Sequence, residues 1–284
     1  MNHRPPRRLQ LKAIAAGGAL AAVVAFAPAA AFGQHAAHAT PGLHMRGAHR
    51  HSVGTGGNLI DNGGKVLPTS HTYAIFWGNP SAWSPDVESG LGTFFGGLNG
   101  SSFLNTGTQY MRGARIGSVY EGAKVDTSAP PRKVQPSTLG AEVAKLFGTS
   151  IDPSGIYFVF TSNFPKGGNF CAWHSFTSVH GVATAVAYMP NTSGIAGCDP
   201  GNLYGLSGSE GLRSLANVTS HEFMEAITDA LPGTGTFAWI DASGSEIGDK
   251  CAWIFASPVT LKNGSQWQLQ EEWSNAVSGC VQTT

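Results

Sequence analysis

His221, Glu222 and Glu225 stand within Ser220-His221-Glu222-Phe223-Met224-Glu225-Ala226-Ile227-Thr228-Asp229, a run with helical character. At about 100° per residue, positions i and i+4 share one helix face, so His221 and Glu225 are placed to grip a metal ion while Glu222 handles protons. This is the spacing of the His-Glu-x-x-His zinc-hydrolase helix with Glu225 in place of the second histidine. Zinc accepts carboxylate oxygen as well as imidazole nitrogen, so the exchange keeps the chemistry open.

The surrounding charge points the same way. From His221 to Asp249 the chain carries Glu222, Glu225, Asp229, Asp241, Glu246 and Asp249 and no lysine or arginine, six of its 17 acids. Uncompensated carboxylates repel one another, and a bound cation relieves that repulsion. Glu246 and Asp249 lie beyond the Pro232-Gly233 helix stop, where a hydrolase of this kind would take its third protein ligand. The expected metal set is therefore His221, Glu225 and either Glu246 or Asp249. Zinc is the expected cofactor because a histidine is among the ligands, and Glu222 is the expected catalytic base for water polarised by the metal. Asp229 is a ligand, an orienting partner of His221, or a helix-end acid with no role.

A plainer reading competes. On a helical wheel the four polar residues fall on one arc, and Phe223, Ala226, Ile227, Ala230 and Leu231 fall on the other. An ordinary amphipathic helix with its acids in water has the same pattern. His174, in Cys171-Ala-Trp-His174, and His180, before Gly181, form a second cluster whose histidines are more simply structural. The seven tryptophans either fill the core or stack on sugars. No Gly-x-Ser-x-Gly elbow, phosphate loop or dinucleotide fingerprint occurs.

The elements that must hold these residues follow from hydrophobic periodicity. Thr72–Trp77 reads as a strand, Pro85–Leu98 as a helix capped by Ser84, Ile116–Val125 as extended, Ser137–Phe147 as a helix and Ile156–Phe160 as a buried strand. Extended runs around Phe170–Trp173 and Val182–Met189 precede a long helix from about Ser209 to Leu231, and strands around Thr236–Ile240 and Ser265–Trp273 close the chain. The fold class implied is α/β or α+β: one mixed-sheet domain with flanking helices, containing a zincin-like helix.

Lysine plus arginine and aspartate plus glutamate balance at 17 each, so nothing argues for nucleic acid as a partner. Residues 1–33 read as a signal peptide: Arg4, Arg7 and Arg8, then an Ala/Val-rich segment, then small residues through Ala31. Arg7-Arg8-Leu9-Gln10-Leu11-Lys12 also approximates a twin-arginine signal. The apolar segment is too short for a span, so no stable membrane insertion is expected after cleavage. Residues 34–56, with five histidines, read as a flexible linker, and 57–284 as one globular domain. Four cysteines in an exported chain imply two disulfides, the sequence-local choice being Cys171 with Cys198 and Cys251 with Cys280.

Several segments resemble the EXORDIUM-like, or phosphate-induced protein, family. They are Gly63-Gly64-Lys65-Val66-Leu67 leading to Tyr73–Gly78, Ile156–Thr161, Phe170-Cys171, His180-Gly181, Thr228-Asp229, and the Cys251-Ala-Trp253 and Cys280 region. His221, Glu222, Glu225 and Gly244-Ser-Glu-Ile-Gly-Asp249 are more similar to bacterial members than to plant ones. The resemblance implies a secreted protein and assigns no mechanism. Two functions are thus expected: a secreted zinc-dependent hydrolase, foremost a peptidase, or a non-catalytic extracellular protein that binds a cell-wall component or another surface partner. A monomer is expected in both.

Overall fold

Alternating and continuous apolar runs become one sheet with helices on both faces. The computed structural model describes residues 43–45, 56–234 and 236–283; the segment expected as a signal peptide and most of the 34–56 segment lie outside them. In chain order the elements begin with β1 (Leu43–Met45), β2 (Ile60–Asp61), β3 (Thr69–Trp77), α1 (Val87–Leu98), α2 (Ser102–Asn105) and β4 (Gly117–Asp126). They continue with α3 (Pro136–Phe147), β5 (Gly155–Thr161), β6 (Phe170–Val179), β7 (Val182–Pro190) and α4 (Glu210–Thr228). Short strands β8 (Trp239–Ile240), β9 (Val259–Thr260), β10 (Gln266–Trp267), β11 (Glu272–Ser274) and β12 (Gly279–Val281) follow.

The main sheet has the order β1-β6-β7-β5-β3-β4. Strands β4, β3, β5 and β7 are parallel, while β6 runs antiparallel beside β7 and β1 antiparallel beside β6. Every residue of β5 is buried, as expected for a central parallel strand covered on both faces. Side chains alternate across the sheet. Ile156, Phe158 and Phe160 pack with Phe94, Phe95 and Phe223 on the α1/α4 face, and Tyr157 and Val159 pack with Leu139 and Val143 of α3 on the other.

The same alternation aims His174. On β6, Ala172 belongs to the α4-side core while Trp173 packs on the α3 side, so His174, two residues after Ala172, points at α4. The β6–β7 hairpin turns through His180 (φ 48°) and Gly181 (φ 83°), the pair of positive φ values that a two-residue hairpin matching the strand twist requires.

Helix α4 starts where Ser209 accepts a hydrogen bond from the Leu212 amide at 3.1 Å, and Asp86 fixes Ser209 in turn through its amide and hydroxyl at 2.8 and 2.6 Å. It ends at Asp229, which leaves helical geometry (φ −144°, ψ 78°) while its carboxylate accepts the Ala238 amide at 3.0 Å. Both predicted disulfides are present, Cys171–Cys198 and Cys251–Cys280. No helix among the described residues is long and apolar enough to cross a membrane.

Four expectations are corrected. Helix α1 begins at Val87, not Pro85, because Pro85 and Asp86 form the preceding turn. The run 265–273 is not one strand: β10 and β11 are separated by buried Gln268, Leu269 and Gln270, which pack inward individually. Within the segment expected as a linker, Leu43–Met45 pairs with β6 as an edge strand. Finally, α4 does not rest an acidic face in water. Its polar arc is as buried as its apolar arc, and from Ser214 to Thr228 every residue is enclosed.

Candidate metal centre

Helix α4, strand β6 and the turn after β8 meet around Glu225. Its two oxygens face two histidines: Oε1 is 3.0 Å from His221 Nε2, and Oε2 is 3.4 Å from His174 Nδ1. Among the described residues, two groups bring one donor atom each to within 4.8 Å of one another, His221 with Glu225 and Asp249, and His174 with Glu225 and Glu246. The residues expected as alternative third ligands thus both arrive, in different groups. His174 joins the centre and His180 does not, standing exposed on the hairpin turn.

Three further residues complete the surroundings. Glu222 places Oε2 3.3 Å from His174 Nδ1. Asp229 offers its backbone carbonyl to His174 Nε2 at 3.2 Å. Glu272 of β11 is wholly buried, and neither of its oxygens has a hydrogen-bond partner. Sequence reasoning missed Glu272; its signal is the i, i+2 alternation of Gln268, Gln270 and Glu272, which turns three polar residues to one side of an extended chain. Conversely, Asp241 leaves the predicted acidic set. It is ion-paired at 2.6 Å with Lys250, whose ammonium also lies 4.2 Å over the Trp273 ring.

The centre is closed. His174, His221, Glu222, Glu225, Glu246 and Glu272 are inaccessible, and only Asp249 keeps 19% of its side chain at the surface. Burying so many carboxylates costs several kcal/mol per ion when they lack counter-charge, and the unmet demand shows in the orphaned atoms. Glu222 Oε1, Glu225 Oε2, Asp229 Oδ2 and both oxygens of Glu246 have no hydrogen-bond partner. In the metal-free molecule protons take up the charge. Burial, then the neighbouring Glu225, pushes Asp249 up to about 8, and burial lifts Glu222 and Asp229 to about 6. Glu246 and Glu272 rise well above the carboxylate range, burial again dominating. Burial works likewise against a charged Glu225, but the two histidines outweigh it and hold Glu225 low. It also works against a charged His174, which Glu246, Glu222 and Glu225 nonetheless raise well above its ordinary value.

His221 is pulled two ways. Burial opposes its charge, while Glu225, then Glu222 and Asp249, lift it to about 10. Against a second proton stands Gln270, whose amide nitrogen is 3.0 Å from Nδ1 and 2.9 Å from the Gly248 carbonyl. That carbonyl identifies the donor end of the amide, so Nδ1 accepts, and the geometry assigns the ring one proton, on Nε2 toward Glu225.

The donor set suits a divalent cation that takes mixed nitrogen and oxygen ligands. No family model and no curated protein matches the chain. Among solved structures, metalloproteinase-II from Bacteroides fragilis is similar over 48% of this chain and 42% of that one, at 6% sequence identity and a TM-score of 0.28. A likeness that loose transfers no function.

Proposed function

We propose that this protein is a secreted metal-dependent hydrolase, foremost a peptidase, with His221, Glu225 and Asp249 as ligands and Glu222 as the base. The supporting observation is the convergence of His221, Glu225 and Asp249 within 4.8 Å, on the helix that also carries Glu222 with an unpartnered Oε1. When bound, the cation supplies Lewis acidity toward a scissile carbonyl and toward water. Glu222 takes the water proton through Oε1 and returns it to the leaving group. In the metal-free site burial raises Glu222 to about 6, toward the range where a general base is most effective. His174 holds Oε2 of Glu222 and so fixes the direction in which Oε1 points. Asp249, the one ligand that reaches the surface, marks the side from which substrate enters. Zinc is the proposed metal, since a histidine with carboxylates suits it. The two disulfides fit an oxidising compartment, which accords with export and with the EXORDIUM-like resemblance.

A second reading, a non-catalytic extracellular protein with a structural cation, is favoured by the closure of the centre, since structural sites lack an open position. Stacking on cell-wall glycan would fall to half-buried Trp83, Trp173, Trp239 or Trp253, since Trp77, Trp267 and Trp273 are buried in the core. Metal analysis of purified protein beside Glu222→Gln separates the readings. A hydrolase keeps its metal in the variant and loses about 10²–10⁴-fold of its peptidase rate. Wild-type protein that carries metal and cleaves no peptide substrate is the structural case, and protein that binds no metal excludes both.

A further inference from the structure

His174, Glu225 and Glu246 form a donor group that the hydrolase reading leaves unused. All three are buried, and both Glu246 oxygens lack a hydrogen-bond partner. We propose that the centre holds two divalent cations bridged by the Glu225 carboxylate, the first between His221 and Asp249, the second between His174 and Glu246. The inference rests on the metal-centre reading above and adds an ion to it.

Three observations support the second ion. First, the Glu225 oxygens are divided: Oε1 faces His221 at 3.0 Å and Oε2 faces His174 at 3.4 Å. A carboxylate that binds one ion would turn both oxygens to it or leave one for a hydrogen-bond donor, and Oε2 has no such donor. Paired metal sites use a bridging group in this way.

Second, His174 is oriented as a ligand. A metal-binding imidazole donates its other N–H to a carbonyl or carboxylate. The Asp229 carbonyl lies 3.2 Å from Nε2 and Glu222 Oε2 lies 3.3 Å from Nδ1, so whichever nitrogen binds the ion, the other has its acceptor. One nitrogen of His174, one oxygen of Glu225 and one oxygen of Glu246 lie within 4.8 Å of one another, and the 3.6 Å from Glu246 Oε1 to the ring is too long for a hydrogen bond.

Third, one ion leaves most of the charge unanswered. Glu222, Glu225, Asp229, Glu246, Asp249 and Glu272 surround two histidines, and Lys250, the nearest cation along the chain, is taken by Asp241. Two divalent ions cancel all but two of these carboxylate charges.

Full-length protein stripped with chelator is titrated with Zn²⁺, and retained metal is counted after gel filtration. A second sample loaded with Mn²⁺ is read by electron paramagnetic resonance. Two zinc equivalents are expected in the wild type and one in Glu246→Gln and in His174→Gln. The manganese spectrum should be exchange-coupled, a wild-type readout that holds even where a variant does not fold. One wild-type equivalent overturns the second ion, and if that equivalent survives Glu246→Gln with hydrolysis intact, the hydrolase reading still stands. Two equivalents with an uncoupled six-line spectrum overturn the bridge. No retained metal overturns both proposals, whereas two coupled ions without hydrolysis overturn only the hydrolase.

Discussion

Gln270 hands an amide hydrogen to Nδ1 of His221, 3.0 Å away. The contact places the imidazole proton on Nε2, where a metal would bind. A cation at Nε2 displaces that proton to Nδ1, and Gln270 must turn its amide to accept it, giving up the 2.9 Å bond to Gly248.

Gln270→Glu supplies an acceptor for Nδ1 without turning, although its oxygen then faces the Gly248 carbonyl in place of the amide that donated to it. Ligand partners of this kind shift affinity by about 10–100-fold. The variant should bind zinc about 10-fold more tightly, as read by competition with a chromogenic chelator. An unchanged or weaker affinity would show that His221 does not bind through Nε2.

Gly248 is held small by the same histidine. A Cβ built there meets His221 Nδ1 at 2.6 Å and Cε1 at 2.9 Å, although the backbone (φ −77°, ψ −42°) suits any residue. Gly248→Ala should therefore cost about 1–3 kcal/mol through overpacking and displace the His221 ring. Zinc affinity should fall more than in a control Gly→Ala substitution at exposed Gly96, where a Cβ meets nothing within 4 Å, both measured by calorimetry.

Stability of the metal-free protein should fall as pH rises from about 5 to about 8. Asp249 moves from an ordinary 3.8 to about 8, and Glu222 and Asp229 move to about 6. Through that window the folded chain keeps protons that the unfolded chain has released, so the slope is negative. His174 adds the same sign: its contribution is complete below 6.5 and is lost as pH rises through its raised value. Glu225 has the opposite sign, but its contribution is already present above 4.5. Saturating zinc should flatten the curve, since metal binding releases these protons. Melting temperatures in chelator and in zinc across the window test this; a chelated protein that gains stability toward pH 8 would contradict the charge state described.

The Cys251–Cys280 disulfide closes a 29-residue separation next to Asp249 and the Lys250–Asp241 pair. Replacing both cysteines by serine should cost about 2–4 kcal/mol in denaturant unfolding. Because the turn that carries Asp249 loses its tether, zinc binding should weaken along with stability. By contrast, Cys171–Cys198 anchors the start of β6, and its loss should act through His174.

The sequence by itself determined what is local. Helical spacing put His221 and Glu225 on one face, the apolar periods marked β3, β5, β7 and α3, and the even cysteine count with its local pairing was correct because these bonds close short segments. Only the tertiary structure decided whether the acids met solvent or one another, since a helical wheel cannot tell an exposed polar arc from one enclosed by β6 and the 246–272 region. It brought His174 to Glu225 by sheet alternation and drew in Glu272 from a strand far along the chain. It also gave Asp241 to Lys250. Those outcomes depend on contacts between distant segments, which no period of two or 3.6 encodes. The opening helix is thus the common wall of two donor groups, and Glu225 belongs to both.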